Sequence, residues 1–406
     1  MANAISVSNT FSPMTTTARS SRYHIGIFGR RNAGKSSLIN ALTGQQVSIV
    51  SDVAGTTTDV VWKNIELPGI GAAVIGDTAG YDDCGPLGDM RVDSTRRAIA
   101  RIDLAIVLLT GSPADAAVEK EWQQLFAKAD VPVIYLLARS DEGATALQEW
   151  GSALSVDVIP VSAVTGEGLP QLLERIAACH SNDANIEDIT HSLVKAGDVV
   201  LLVMPQDAQA PTGRLIMPQV QTLRNLLDKH CMPVCCAPEE LPRLLSSLKE
   251  PPALVITDSQ VFPQVKQQIP QGTRLTSFSV LMARHKGDID TFRAGATRLL
   301  ALGGNSRVLI AEACTHIPAN EDIGRVKLPR LLRKRFGDNL QVDIVSGNDF
   351  PADLSPYDIV IHCGACMFTR RHVLSRVRQA RAQGVPITNY GIAIAALTGI
   401  LPDIVY

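Results

Sequence analysis

Three tandem α/β units, the first built on a phosphate-binding loop and a largely parallel sheet, are the fold the sequence predicts. Strand-length apolar runs alternate with helix-length amphipathic stretches from residue 23 onward. A glycine-rich loop joins the first of these runs to the first helix, and a polar stretch near 182–196 separates the first unit from the second. With 406 residues, 46% hydrophobic and 19% charged, the chain is large enough for two or three cores.

Residues 1–21 hold Ser, Thr and Asn with little apolar patterning and are expected to form a flexible N-terminus. Over 22–181 the predicted buried strands are 25–28, 72–75, 104–109, 133–137 and 157–160, with helices such as 35–42 and 116–129 between them. Residues 182–196 suit a linker. The second unit, 197–285, reads as strand 199–204, helix 219–229, strand 234–237, helix 239–248 and strand 253–258. It carries no phosphate loop and no concentrated set of polar catalytic residues, which suits packing or dimerisation. The third unit, 286–406, opens on a helix near 288–302 and continues with strands at 307–312, 341–345 and 358–362. Cysteine and histidine pairs fall at or just beyond two of those strand ends, where ligands collect in open α/β sheets.

A net charge of −2 offers no electrostatic footprint for nucleic acid or for an anionic membrane. No apolar run approaches the roughly 18 residues of a membrane span, and the N-terminus lacks the apolar core of a signal peptide. A cytoplasmic protein without a membrane or nucleic-acid partner is therefore expected. Eight cysteines without an export signal argue for thiols or metal ligands rather than disulfides. Cys84, Cys179, Cys231, Cys235 and Cys236 have no ligand spacing and read as ordinary thiols, with Cys235 and Cys236 pointing to opposite faces of a strand.

The segment Gly29-Arg30-Arg31-Asn32-Ala33-Gly34-Lys35-Ser36 fits G-x-x-x-x-G-K-[ST] between a predicted strand and a predicted helix, the context that the motif requires. Backbone amides from Gly29 through Asn32, Ala33 and Gly34 to Ser37 at the helix start would cradle phosphates. Lys35 would reach the terminal phosphates and Ser36 would hold Mg²⁺. Asp77-Thr78-Ala79-Gly80 has the D-x-x-G pattern that senses a terminal phosphate, so Asp77 and Gly80 join Lys35 as candidate catalytic residues. In Gly55-Thr56-Thr57-Thr58-Asp59, Thr57 is the threonine expected to close over Mg²⁺.

These motifs resemble the translation-factor-like GTPases, in particular the branch with the tRNA-modification GTPase MnmE and Era. The resemblance implies GTP and GDP as ligands, an activating K⁺ bound with the help of Asn32, and slow hydrolysis, since Tyr81 replaces the water-orienting glutamine of Ras-like proteins. The departure is Ala138-Arg139-Ser140-Asp141, where the family has N-K-x-D. Asp141 retains the acceptor for the guanine edge. Loss of the asparagine amide at Ala138 costs about 1–3 kcal/mol, or about 5- to 150-fold in affinity. Ser162-Ala163 matches the loop that backs the base.

Cys314-x-His316 and His362-Cys363-x-x-Cys366 supply three thiolates and two imidazoles, the soft donors of iron–sulfur clusters, zinc and Cu(I). Three cysteines leave one iron of a cubane without a thiolate, which suits His316 or His362 as a weak fourth ligand or an open site. Structural zinc on three thiolates and one histidine is the alternative. A thioredoxin-like dithiol leaves Cys314 and His316 without a role.

Their order behind a GTPase unit and a middle unit resembles, over 22–406, the HydF family of [FeFe]-hydrogenase maturation GTPases. The resemblance implies a dimerisation domain at 197–285 and an iron–sulfur cluster-binding domain at 286–406. It implies a [4Fe–4S] cluster on Cys314, Cys363 and Cys366 with an exchangeable fourth ligand. The implied role is a homodimeric scaffold and carrier for the diiron subcluster precursor, working with radical-SAM hydrogenase maturases and the hydrogenase itself. Two alternatives stand beside it, a tRNA-modification GTPase with a structural metal and a redox-sensing iron–sulfur GTPase.

Overall fold

The computed structural model describes residues 22–43, 61–68, 70–78, 98–111, 113, 116–138, 146–182, 188–206, 215–313, 322–347, 349–365 and 368–406. The first sheet contains β1 (Tyr23–Gly29), β2 (Val61–Leu67), β3 (Gly71–Asp77), β4 (Leu104–Leu109), β5 (Val133–Ala138) and β6 (Val158–Val161), in the order β2-β3-β1-β4-β5-β6. β2 runs antiparallel to β3, and the other pairings are parallel. β1 and β4 are buried at every position, as central strands covered on both faces must be. On one face Ile25, Ile27 and Ile106 pack against Leu38 of helix Lys35–Thr43 and Leu172 and Ile176 of helix Leu169–Asn182. On the other, Phe28 and Val107 meet Trp122 and Phe126 of helix Ala117–Ala129 and Trp150 of helix Ala146–Leu154. The chain reverses direction across the sheet at β1, so the loop after β1 opens at a topological switch point.

The second sheet holds β7 (Val199–Val203), β8 (Met232–Cys236), β9 (Leu254–Thr257) and β10 (Leu275–Ser277), in the order β10-β9-β7-β8. The third holds β11 (Arg307–Glu312), β12 (Gln341–Ser346), β13 (Ile359–His362) and β14 (Ile387–Asn389), in the order β12-β11-β13-β14. Both are parallel throughout. The two sheets share a core in which Leu201, Val255 and Val280 join Phe292, Leu309, Val360 and Ile387. The C-terminus returns to the second sheet, where Val405 N–H donates to the Leu275 carbonyl at 2.8 Å. The first and third units touch through helix Arg370–Ala382, whose Arg378 donates to the Ala129 carbonyl at 3.1 Å. Among the described residues no helix is long and apolar enough to cross a membrane.

Candidate functional site

β1 ends at Gly29, and the loop that follows folds back before the helix begins. Ala33 N–H donates to the Arg30 carbonyl at 3.2 Å, and Leu38 N–H to that of Gly34 at 2.9 Å. Gly34 lies at φ +90° and Asn32 at φ +59°, left-handed conformations that glycine adopts freely and asparagine tolerates. The Lys35 ammonium donates to the carbonyls of Gly29 and Arg30, both at 3.0 Å, which fixes the charge on the loop. Ser36 Oγ donates to Asp77 Oδ2 at 3.1 Å, because β3 delivers Asp77 in register with Ile27 of β1. A hydroxyl beside a carboxylate is an oxygen pair suited to a hard divalent cation.

The loop is braced from behind. Arg30 forks onto Glu119 at 2.8 and 3.0 Å, and Glu119, in helix Ala117–Ala129, is 1% exposed. Nothing in the sequence marked this pair, whose members are 89 residues apart.

At the base-recognition edge, Ala138 ends β5 in register with Val161, so Ser162 and Ala163 follow beside it. The buried Ser162 hydroxyl accepts N–H groups of Val164 at 3.3 Å and Thr165 at 3.2 Å, closing a compact turn. Gly168, at φ +74°, completes it: a Cβ there would come within 2.0 Å of the Pro160 carbonyl oxygen.

In the third sheet, β11 and β13 are neighbours with Ala311 opposite His362, so the residues beyond them emerge side by side. Cys363 Sγ accepts N–H groups of Ala313 at 3.0 Å and Ala365 at 3.4 Å. Amide donors favour an anionic sulfur, so this environment fits a thiolate ligand. Ala365 is buried at φ +52°, a left-handed non-glycine residue costing about 1 kcal/mol. Lys286, from helix Phe278–Lys286, donates to the carbonyls of Ala365 at 3.2 Å and Phe368 at 2.9 Å, on either side of position 366. Asn389 Nδ2 donates to the Cys363 carbonyl at 3.2 Å and its Oδ1 accepts from Ser279 at 3.1 Å, so the second unit meets the third at this cysteine.

His362 is 1% exposed, with Nδ1 2.8 Å from the Cys363 carbonyl and Nε2 3.0 Å from Arg376 Nη1. Arginine only donates, so Nε2 accepts and Nδ1 carries the proton. Burial and then the Arg376 charge hold its pKa down at about 3, so the ring is neutral. With both nitrogens engaged, iron ligation by His362 requires breaking its contact with Arg376.

Of the predicted site residues, Thr57, Gly80, Asp141, Cys314, His316 and Cys366 lie outside the described residues. Among the described residues no group of three or more His, Cys, Asp or Glu is placed to hold a metal ion. Cys231 is buried, Cys179 and Cys236 are half-buried and Cys235 is exposed; burial pushes the Cys236 thiol up to about 11, which disfavours ligation. Arg376 was legible in principle. It sits on the face of helix Arg370–Ala382 that also buries Val373, Val377 and Ala380, and an arginine at such a position needs a polar partner.

Three family models match the chain: a 50S ribosome-binding GTPase over 24–139, the hydrogen maturase F dimerization domain over 189–287 and the hydrogen maturase F tetramerization domain over 290–405. The tRNA modification GTPase MnmE of Heliobacterium modesticaldum is 37% identical over 154 residues, covering 37% of this chain and 32% of that protein. That of Xanthomonas oryzae pv. oryzae is 40% identical over 157 residues, covering 38% and 33%. The match thus spans about a third of the length of these curated relatives. Among solved structures, Aquifex aeolicus Era overlaps with a TM-score of 0.34 at 18% identity, over 61% of this chain and 97% of that one. The two maturase models together cover more than half of the residues and follow a GTPase domain in order, and the chain belongs to the hydrogen maturase F family.

Proposed function

We propose that this protein is a GTP-hydrolysing scaffold and carrier that holds a [4Fe–4S] cluster on Cys314, Cys363 and Cys366 and delivers the diiron subcluster precursor to [FeFe]-hydrogenase. The observation that carries the reading is the bond from Ala313 N–H to Cys363 Sγ, since position 314 is one peptide further along the chain. Three thiolates would hold the cluster and leave one iron for an exchangeable ligand. The occupied nitrogens of His362 favour His316 over it for that place. Two maturase models named for dimerization and tetramerization suggest self-association; a homodimer through 197–285, a cytoplasmic location and contact with radical-SAM maturases complete the proposal. The test is maturation: reconstituted protein carrying the precursor should activate an immature hydrogenase. A protein that binds the cluster yet transfers no activity would favour the redox-sensing alternative.

In the GTPase domain, Ser36 and Asp77 would hold Mg²⁺, and Asn32 would help to bind an activating K⁺. Turnover should be slow and several-fold faster in KCl than in NaCl, with Asn32→Ala erasing the difference. Equal rates of the unaltered protein in the two salts would remove the role of Asn32.

Guanine selectivity should be blunted by Ala138. Ala138→Asn restores an amide beside Ser162-Ala163 and is expected to tighten GDP binding at least about fivefold, corresponding to about 1 kcal/mol. Calorimetry showing unchanged affinity would place the base elsewhere.

A further inference from the structure

Arg376 is the charged group whose burial the nucleotide and cysteine assignments leave unexplained. It is 3% exposed, in the middle of helix Arg370–Ala382. Its Nη1 lies 3.0 Å from His362 Nε2, and its Nη2 donates to the Gly347 carbonyl. The guanidinium carbon lies 4.6 Å from the Phe350 ring centroid and 4.7 Å from that of Phe368, so aromatic rings rather than water cover it. These neighbours are neutral. Among the described residues no carboxylate lies within ion-pair distance of Arg376, and Glu312, which ends the adjacent strand β11, is taken by Arg325 at 3.1 Å.

Burying a cation without a countercharge is costly, and the cost is offset when an anion arrives at the same place. An arginine guanidinium keeps its proton in a protein, so the group is charged near neutrality. Arg376 contacts His362, whose neighbour in the chain is Cys363, so the cysteine site is where such an anion would arrive. A cubane held by three thiolates is itself anionic and becomes more so when it accepts an electron.

We propose that Arg376 is the buried countercharge of the cluster, a positioning residue that raises the cluster's reduction potential and orients His362 without ligating iron. This inference rests on the cluster reading given above. It assigns the energetic offset for burying Arg376 to the reduced cluster, which the cation stabilises more than the oxidised one. The electron comes from the external titrant and resides on iron; no bond at Arg376 forms or breaks. It also explains the fixed His362 tautomer, because the guanidinium claims Nε2.

The test is a redox titration of the reconstituted full-length protein, followed by EPR, for the unaltered chain, Arg376→Gln and Arg376→Lys. Arg376→Gln should bind the cluster with a more negative midpoint, lowering the reduced-to-oxidised ratio at a fixed potential about tenfold, which is about 59 mV for one electron. Arg376→Lys, which keeps the charge, should recover most of that shift. Loss of the cluster from Arg376→Gln with retention in Arg376→Lys would also support the countercharge. An unchanged midpoint in Arg376→Gln, or loss of the cluster from both variants, would overturn it in favour of packing. Failure of the unaltered chain to form a cluster would instead sink the cluster reading, so the two failures are distinguishable.

Discussion

Lys35→Ala should lower kcat/KM for GTP by at least about 10²-fold, equivalent to about 2.7 kcal/mol of transition-state stabilisation. The ammonium is a cation that the loop itself supplies, and its bonds to the Gly29 and Arg30 carbonyls keep it within reach of a terminal phosphate. The loop should keep its shape in the variant, because the Arg30–Glu119 fork and the left-handed Gly34 do not depend on Lys35. Steady-state phosphate release, with nucleotide binding measured separately, checks the expectation. Turnover at the unaltered rate would mean that hydrolysis occurs elsewhere.

The second large effect concerns the thiolates. Cys363→Ser should lose the cluster during anaerobic reconstitution, and Cys314→Ser and Cys366→Ser should do the same. Substituting groups that merely orient metal ligands already costs about 10- to 100-fold in affinity, and removal of a ligand costs more. At Cys363 the serine hydroxyl would still meet the amides of Ala313 and Ala365, so loss of iron would report ligation rather than collapse of the turn. His316→Ala and His362→Ala should retain the cluster and change its EPR signal. Iron and acid-labile sulfide assays read the result, and a fully loaded Cys314→Ser protein would show that the ligand set is wrong.

Strands that are apolar over four or more residues were legible because burial on both faces leaves no alternation to confuse them, as in β1 and β4. β10 and β14 escaped because each is three residues long. The helix Arg370–Ala382 escaped because its arginines break the apolar periodicity that would have marked it. Helix Tyr390–Leu397 is the converse case, apolar on nearly all sides since it lies within the shared core, and so without an amphipathic signature. In the candidate sites, local motifs revealed the loop from Gly29 to Ser36 and the cysteines. The supports did not show: Glu119, Lys286 and Asn389 reach their partners from distant parts of the chain, and no short spacing encodes such contacts.

The central claim is that a GTPase and an iron–sulfur cluster share this chain. EPR of the anaerobically reconstituted, dithionite-reduced full-length protein tests it most directly. The account predicts equal amounts of iron and acid-labile sulfide and the paramagnetic signal of a reduced [4Fe–4S] cluster, abolished in Cys363→Ser. A protein that instead takes up zinc, binds no sulfide and remains EPR-silent on reduction would contradict it.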